Sequence, residues 1–301
     1  MKVLKWIGIV LGVLIGLIVV IGLIGYSLAG AKLTQKYEYT PESITVPTGA
    51  ESVANGQYLV EHFMFCADCH GKNLAGTEFI NDPSFAVIYT PNLTSGQGGI
   101  GGTYTDADWI RALRHGIRPN GEGLIIMPSE SYTFVDAEEL GDMIAYLKTL
   151  PPVDNEIPAR QIATVPRILM GLGVIPIGDL LPATTIDHNA PPLMAPVRGI
   201  TVEYGDYRAT TCKSCHGSNM AGAPADPQAG SPAIPNLTPG GELVIWTEAD
   251  FLTALTTGVT LNGHQLDPLQ MPWPAIGTAD QEDLQAIWLY LQSLPATPAN
   301  Q

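Results

Sequence analysis

Two short stretches hold the residues of this sequence that are best suited to chemistry. They are Cys66-Ala67-Asp68-Cys69-His70 and Cys212-Lys213-Ser214-Cys215-His216. C-x-x-C-H is the attachment signature of c-type haem, because two thiols one helical turn apart can each add to a porphyrin vinyl group while the adjoining imidazole binds the iron. A C-x-x-C pair alone would also fit zinc or redox thiols, but the His that follows both copies favours haem. The predicted haem c attachment and iron-binding residues are Cys66, Cys69, His70, Cys212, Cys215 and His216.

The cysteine count and the net charge exclude several other functions. All four cysteines belong to the two motifs, so none is left for a disulfide, a catalytic thiolate or a cysteine-ligated haem. The formal net charge is −15, which argues against nucleic-acid binding, since such binding needs a basic surface. An acidic surface keeps a protein soluble and attracts basic patches on partner proteins.

The N-terminus has the composition of a membrane anchor. Lys2 and Lys5 precede an uncharged apolar run over residues 6–30. About 20 apolar residues suffice to cross a bilayer, whereas the apolar region of a cleaved signal peptide has roughly 7–15. The length therefore predicts an uncleaved signal-anchor helix over residues 1–30, with the rest of the chain outside the cytoplasm. A cleavable signal is the alternative, because residues 29–31 have the small-x-small pattern of a cleavage site.

The remainder of the chain repeats itself, which predicts two copies of one small domain. Asn73-Leu74-Ala75-Gly76 recurs as Asn219-Met220-Ala221-Gly222, and Pro91-Asn92-Leu93-Thr94 recurs as Pro235-Asn236-Leu237-Thr238. A period this long indicates two whole domains and not a solenoid. The predicted segments are a polar tether at 31–50 with Pro41 and Pro47, a first domain at 51–152, a Pro-rich connector at 153–200 and a second domain at 201–297. The apolar stretch 168–181 of the connector predicts a short helix or turn buried between the two halves.

Helix boundaries can be predicted from the capping residues. Thr105 followed by Asp108 approximates a capping box at the start of a helix, and Gly116 is placed to end that helix. Asp136 is placed to cap the last helix of the first repeat, with Glu139 at the reciprocal position. Helical spacing of the apolar residues that follow each cap predicts an all-α fold.

The second axial ligand of each iron can be predicted from the repeat, because equivalent irons should use equivalent residues. Only Met127 and Met271 coincide when the halves are aligned, and each is followed by Pro. The unmatched candidates are His115, Met143 and His264. His/Met ligation fills both axial positions and raises the reduction potential relative to other axial pairs. Such irons have no open position for oxygen, peroxide or substrate, which predicts electron transfer and not catalysis.

These features resemble class I c-type cytochromes. The resemblance covers residues 51–152 and 201–297 and rests on C-x-x-C-H-G, the Pro-Asn-Leu-Thr loop, the Met-Pro pair and a C-terminal helix with Tyr-Leu and then Leu-Pro. Two such domains after an N-terminal transmembrane helix are similar to membrane-anchored dihaem cytochromes and to cytochrome subunits of bacterial periplasmic dehydrogenases. The resemblance implies an all-α fold with two tandem cytochrome c domains, each holding haem in an apolar crevice.

The resemblance also implies how each proximal histidine is oriented. The carbonyls of Pro91 and Pro235 would accept the Nδ1 protons of His70 and His216, which would fix the imidazoles. The segment before Cys212 is three residues shorter than the segment before Cys66, so the helix that precedes the second motif is expected to be shorter.

Basic residues predict a difference between the two haems. Arg111, Arg114 and Arg118 could pair with propionates of the first haem, whereas Thr253 and Thr257 replace two of them in the second half. If so, the two reduction potentials should differ.

The function expected from the sequence is electron relay by a dihaem cytochrome c on the outer face of the cytoplasmic membrane. Its expected partners are a dehydrogenase or quinol-oxidising complex on one side and an oxidase, soluble cytochrome or cupredoxin on the other. The alternative is a dihaem enzyme, similar to a peroxidase, or a gas sensor in which one methionine ligand is displaced. Methionine at both matched positions counts against this alternative.

Overall fold

The computed structural model describes residues 2–40, 42–191, 193–226 and 232–300, and these form two compact units. The first unit comprises the chain up to Ser43, Cys69–Thr133 and Leu150–Ala190, and the second comprises Ile44–Asp68, Phe134–Thr149 and the chain from Pro191. The second unit thus combines parts of the first repeat with the whole second repeat. The domain boundaries at 51–152 and 201–297 remain a prediction.

Helices dominate both units, which confirms the all-α prediction. The α-helices are α1 (Lys2–Leu33), α2 (Ala50–His62), α3 (Cys66–His70), α4 (Asp106–His115), α5 (Ala137–Thr149), α6 (Thr164–Gly171), α7 (Val202–Arg208), α8 (Lys213–His216), α9 (Glu248–Thr257), α10 (Trp273–Ile276) and α11 (Gln281–Ser293). Short 3₁₀ helices are Ser129–Tyr132, Gly178–Leu180, Pro182–Thr184, Ala209–Cys212 and Glu242–Ile245. The seven residues of α7, against thirteen in α2, confirm the shorter helix before the second motif.

Helix α1 is long and apolar enough to cross a membrane. Its C-terminal part packs against α6 in the first unit, and a β-carbon on Gly171 would clash with the carbonyl oxygen of Gly25. A small apolar core continues from this crossing and comprises Ala29, Leu33, Met170, Ile177 and Leu181. Helix α6, which belongs to the connector, therefore lies against α1. The sequence had predicted a helix or turn buried between the two halves. Nothing local in the connector sequence specifies α1 as its partner.

The chain after α1 is bonded to the first unit, although the sequence predicted a tether there. The Tyr37 amide donates to the Gly121 carbonyl at 3.0 Å, and Arg111 Nε donates to the Tyr39 hydroxyl at 3.0 Å. Pro41 of the predicted tether lies outside the described residues. Residues 34–40 therefore lie along the first unit and are not a free spacer.

A small antiparallel sheet in the first unit was not predicted. Its strands are β1 (Glu78–Asp82), β2 (Ala86–Tyr89) and β3 (Gln161–Ile162), in the order β1-β2-β3. The β1–β2 turn is closed by Asp82, whose carboxylate accepts from the Ser84 amide at 2.9 Å. Ile80 is the one partly buried residue of β1, so this strand lacks the alternation of buried and exposed residues on which strand prediction depends.

Two equivalent helix pairs lie in the second unit. Helix α2 packs on α5, and α7 packs on α11. A β-carbon on Gly56 would clash with the Asp142 carbonyl, and one on the equivalent Gly205 would clash with the Ala286 carbonyl. Glycine at these two positions lets the helix backbones touch, so both repeats use the same crossing.

Reciprocal hydrogen bonds join the two helix pairs. The Tyr58 hydroxyl donates to Asp283 Oδ2 at 2.5 Å, and the equivalent Tyr207 hydroxyl donates to Glu139 Oε2 at 2.6 Å. Each repeat supplies one tyrosine and one carboxylate, which is the self-complementary pattern of a two-fold interface. The second unit therefore has local pseudo-two-fold symmetry.

Arg208 breaks this symmetry, because Leu59 stands at the equivalent position of the first repeat. Arg208 Nη2 lies 2.6 Å from Glu139 Oε1, and its Nε donates to the Tyr204 hydroxyl at 2.8 Å. Its guanidinium also lies 5.2 Å from the ring centroid of Phe63. Burial alone would lower the pKa of Arg208, but the Glu139 carboxylate and Tyr204 raise it above its ordinary value. Arg208 is therefore a fully charged, buried partner of Glu139.

Candidate haem-binding sites

Each C-x-x-C-H motif forms a single helical turn. The first motif is α3, and the second spans the end of the 3₁₀ helix Ala209–Cys212 and α8. Gly71 and Gly217 end the two turns with φ angles of 79° and 81°, a conformation that glycine adopts without strain. The four cysteines are thiols and not disulfides. The helical turn carries both thiols and the histidine of each motif on one local element, as covalent haem attachment requires.

The two proximal histidines have the same orientation. His70 Nδ1 lies 2.9 Å from the Pro91 carbonyl oxygen, and His216 Nδ1 lies 3.0 Å from the Pro235 carbonyl oxygen. A carbonyl only accepts, so Nδ1 carries the proton and Nε2 keeps its lone pair. Burial lowers the pKa of both histidines, which favours neutral imidazole. Neutral imidazole with a free Nε2 is the form that binds iron.

The Pro-Asn-Leu-Thr loops hold these carbonyls in place. Asn92 Nδ2 donates to the Val153 carbonyl at 2.8 Å, and the equivalent Asn236 Nδ2 donates to the Thr297 carbonyl at 2.8 Å. Each asparagine also accepts from the amide of the threonine two residues later, at 2.9 Å. Each asparagine thus bonds its loop to the chain that follows the last helix of its own repeat, and this explains why the tetrapeptide recurs.

The two Met-Pro pairs lie in matching turns. The Ser129 amide donates to the Met127 carbonyl at 2.8 Å, and the Trp273 amide donates to the Met271 carbonyl at 2.7 Å. Both methionines are half-buried, and a short helical segment follows each proline. The turn after each predicted axial methionine is therefore the same. The chain before it differs, since the Ile126 amide donates to the Leu180 carbonyl, whereas the Met271 amide donates to the Asp267 carbonyl. Met143 lies fully buried on α5.

Helices α4 and α9 lead into the methionine segments and have identical ends. Each begins with a complete capping box and ends at a left-handed glycine, as predicted for α4. The residues are Thr105, Asp108 and Gly116 in α4 and Thr247, Asp250 and Gly258 in α9. After each glycine the chain turns back, since the Leu124 amide donates to the Gly116 carbonyl and the Leu266 amide to the Gly258 carbonyl.

Buried nitrogens in the first repeat fit an acidic ligand group. Trp109 Nε1 and Arg118 Nε are buried and have no hydrogen-bond partner among the described residues. A buried donor without a partner costs about 1–3 kcal/mol, so these atoms suit the propionate carboxylates of a bound haem. The second repeat has Phe251 at the Trp109 position, which offers no donor. Together with the thiols and the neutral histidines, these donors fit haem c.

Two of the predicted propionate partners are bonded elsewhere. Arg111 Nη1 lies 3.1 Å from Asp108, and Arg114 Nε lies 2.7 Å from Glu42. The sequence analysis missed Arg160, whose pKa is lowered by burial and by repulsion from Arg118. Arg160 belongs to the connector, outside the repeats, so the alignment of the halves had no position that could reveal it.

Comparison with known proteins agrees with this site. The sequence model of the cytochrome c family matches residues 53–151 and 206–295. The chain belongs to the cytochrome c family. Both matched regions contain one C-x-x-C-H motif, one Pro-Asn-Leu-Thr loop and one Met-Pro turn, so this cytochrome carries the family's pattern twice.

Three curated relatives are similar to this cytochrome over most of its length. The fructose dehydrogenase cytochrome subunit of Gluconobacter japonicus is 29% identical over 89% of this chain and 57% of the relative. A diheme cytochrome c-type protein of Cereibacter sphaeroides is 28% identical, over 89% of this chain and 94% of the relative. The cytochrome c subunit of an alcohol dehydrogenase (quinone) from Gluconacetobacter polyoxogenes is 28% identical, over 91% and 60%. This cytochrome thus spans little more than half of the two dehydrogenase subunits and nearly all of the diheme protein.

Proposed function

We propose that this cytochrome is an electron carrier with two covalent haem c groups, ligated by His70 with Met127 and by His216 with Met271. The observation that supports the proposal is the repetition of one arrangement, a histidine fixed by a proline carbonyl together with a Met-Pro turn. Bound haem would supply an iron centre that gains and loses one electron. With both axial positions filled by the protein, neither centre has a position for a substrate.

The residues of each site support this role through simple chemistry. The Pro91 and Pro235 carbonyls hold the Nδ1 protons, which fixes the tautomer and makes the imidazole a better donor. The thioether of methionine is a neutral, soft ligand and favours the ferrous state. Both histidines are buried, and burial favours the neutral form of the imidazole, which binds iron.

Membrane anchoring through α1 is part of the proposal. Ala29 is fully buried and packs with Met170 and Leu181 in the core that α1 shares with the connector. Removal of the helix by cleavage near residues 29–31 would expose this apolar core to water. The packing therefore supports a retained anchor, with the haem domains on the periplasmic side.

The proposed partners follow from the relatives. Two of them are named as cytochrome subunits of dehydrogenases, so we propose a dehydrogenase or quinol-oxidising complex as the electron donor. An oxidase, soluble cytochrome or cupredoxin would accept the electrons. The acidic net charge would favour acceptors with a basic docking face.

The ligand assignment is tested by replacing each methionine in the haem-loaded, full-length protein. Met127→Leu and Met271→Leu should each abolish the methionine-to-iron charge-transfer band of one haem and let carbon monoxide bind to one haem. Met143→Leu is the matched control, because Met143 is a core residue of α5, and it should leave both readouts unchanged. Retention of both bands in Met127→Leu would contradict the assignment.

A further inference from the structure

An apolar groove lies between α1 and α6. Its volume is about 680 Å³, and its lining includes Ile18, Ile21, Gly22, Tyr26, Thr164 and Ile168. A helix rises about 1.5 Å per residue, so the 20 steps from Trp6 to Tyr26 cover about 30 Å, the thickness of the hydrocarbon core. With Trp6 at the inner boundary, Tyr26 marks the outer one. With α1 anchored in this way, the groove would lie in the outer leaflet, where membrane lipids can reach it.

A cation, Arg167, lies at the upper end of the groove. The Arg167 guanidinium stacks on the Tyr26 ring at 4.0 Å, and its Nη1 donates to the Tyr26 hydroxyl at 3.0 Å. Arg167 Nε is buried and has no hydrogen-bond partner, and no carboxylate lies within 4.0 Å of this guanidinium in the described part of the chain. A buried donor on a charged group is costly unless an anion binds it.

The surroundings of Arg167 are positive, although the protein as a whole is acidic. Lys32 lies in the last turn of α1. The pKa of the half-buried Arg160 is lowered by burial, by Arg118 and by Arg167, and it is raised by Glu122. Arg160 thus faces two cations and one carboxylate among the groups that shift its pKa. An anion bound at this place would relieve the repulsion.

The exposed residues of α6 and the turn after it are suited to a membrane surface. Val165 and Val174 are 64% and 67% exposed, and Leu172 is 41% exposed. Apolar residues beside cations are typical of helices that lie in the interface of a bilayer with anionic lipids. With α1 anchored in the membrane, the α6 segment would therefore face the headgroup region beside Arg167.

We propose that the α1–α6 groove binds one anionic phospholipid of the outer leaflet. Its acyl chain lies along Ile18, Ile21 and Ile168, and its phosphate accepts hydrogen bonds from Arg167. This inference rests on the proposed membrane anchoring by α1. A neutral quinone would fill the apolar groove but would leave the guanidinium without a counter-ion.

The test uses the haem-loaded, full-length protein, delipidated in detergent and titrated with phosphatidylglycerol or phosphatidylcholine under native mass spectrometry. Wild type should bind one phosphatidylglycerol about fivefold more tightly than phosphatidylcholine, the preference expected for one cation at the membrane surface. Arg167→Gln should abolish this preference. Arg198→Gln is the matched control, because Arg198 is a half-exposed arginine in the second unit, and the preference should persist.

Three results would overturn the lipid site: equal binding of the two lipids by wild type, a full preference in Arg167→Gln, or displacement of phosphatidylglycerol by added quinone. Flotation of the same protein with phosphatidylglycerol vesicles separates this failure from failure of the anchor. Protein that floats but shows no lipid preference would refute the lipid site alone. Protein that stays in the soluble fraction would refute the anchor, and the lipid site with it.

Discussion

Replacing Arg208 with leucine is expected to destabilise the second unit strongly. Leucine is the residue at the equivalent position of the first repeat, so the substitution itself suits the helix. Without the guanidinium, Glu139 is a buried carboxylate bonded to the Tyr207 hydroxyl, and its charge has lost its partner at 2.6 Å. Removing one member of a buried ion pair costs about 3–5 kcal/mol. We expect about 3 kcal/mol, because the leucine side chain keeps part of the packing against Phe63.

The assay is urea unfolding of the haem-loaded, full-length protein in detergent, followed by far-ultraviolet circular dichroism. A second variant, Glu139→Gln, removes the buried charge while it keeps a hydrogen-bonding side chain. The double variant Arg208→Leu/Glu139→Gln should lose less unfolding free energy than the two single variants together, by about 1–3 kcal/mol, because the leucine then faces no buried charge. Glu282→Ala is the control, since its half-exposed ion pair with Arg198 at 3.5 Å should contribute less than about 1 kcal/mol.

Two outcomes would refute this reasoning. The first is an Arg208→Leu variant that loses no more stability than Glu282→Ala, which would mean that Glu139 is hydrated once the arginine is gone. Additive losses in the double variant would mean that Arg208 stabilises through its aromatic contacts alone and not through the carboxylate.

Three further predictions concern other parts of the chain. Gly171→Leu should lower the midpoint temperature of thermal unfolding, because the leucine side chain would displace α6 from α1. Gly8→Leu is the control and should not lower it, because Gly8 has open space around it. Equal midpoints in the two variants would contradict the packing of α6 on α1. Arg118→Gln should lower the reduction potential of the first haem only, since loss of a nearby cation favours the oxidised iron; a redox titration with both steps shifted equally would contradict it. Hydrogen bonds from the Thr247 hydroxyl and amide lower the pKa of Asp250. The ionised Asp250 carboxylate therefore stabilises the fold above its unfolded pKa of about 3.9, and this stabilisation is lost as the pH falls. In Asp250→Asn the urea midpoint of unfolding should therefore decrease less between pH 5 and pH 3 than it does in wild type (about the range of that titration). An equal decrease in the two proteins would contradict the lowered pKa of Asp250.

The features that could be predicted from the sequence are those that neighbouring residues specify. The box of Thr105 and Asp108 and the left-handed Gly116 follow local rules of helix capping, and the structure confirms all three. The Met-Pro pairs were found by aligning the halves, because a repeated residue that plays one role must occupy one position in both copies.

The features that were missed depend on contacts between residues far apart in the chain. Glu139 was predicted at the reciprocal position of the Asp136 cap, yet the Asp136 amide donates to the Tyr207 hydroxyl and the Glu139 carboxylate binds Arg208, 69 residues away. Arg160 and α6 belong to the connector, which is not repeated, so aligning the two halves could not reveal their roles. Their roles become visible only when packing brings the connector against α1 and the first repeat.

The central claim is that both irons are closed by protein ligands, and the most direct test is a visible spectrum of the purified full-length protein. The spectrum is recorded oxidised and reduced, with and without carbon monoxide, beside a haem count per chain. The account predicts two low-spin haems per chain whose spectra carbon monoxide does not change. A carbon monoxide shift at one haem would contradict it and would favour a dihaem enzyme or gas sensor with a labile methionine.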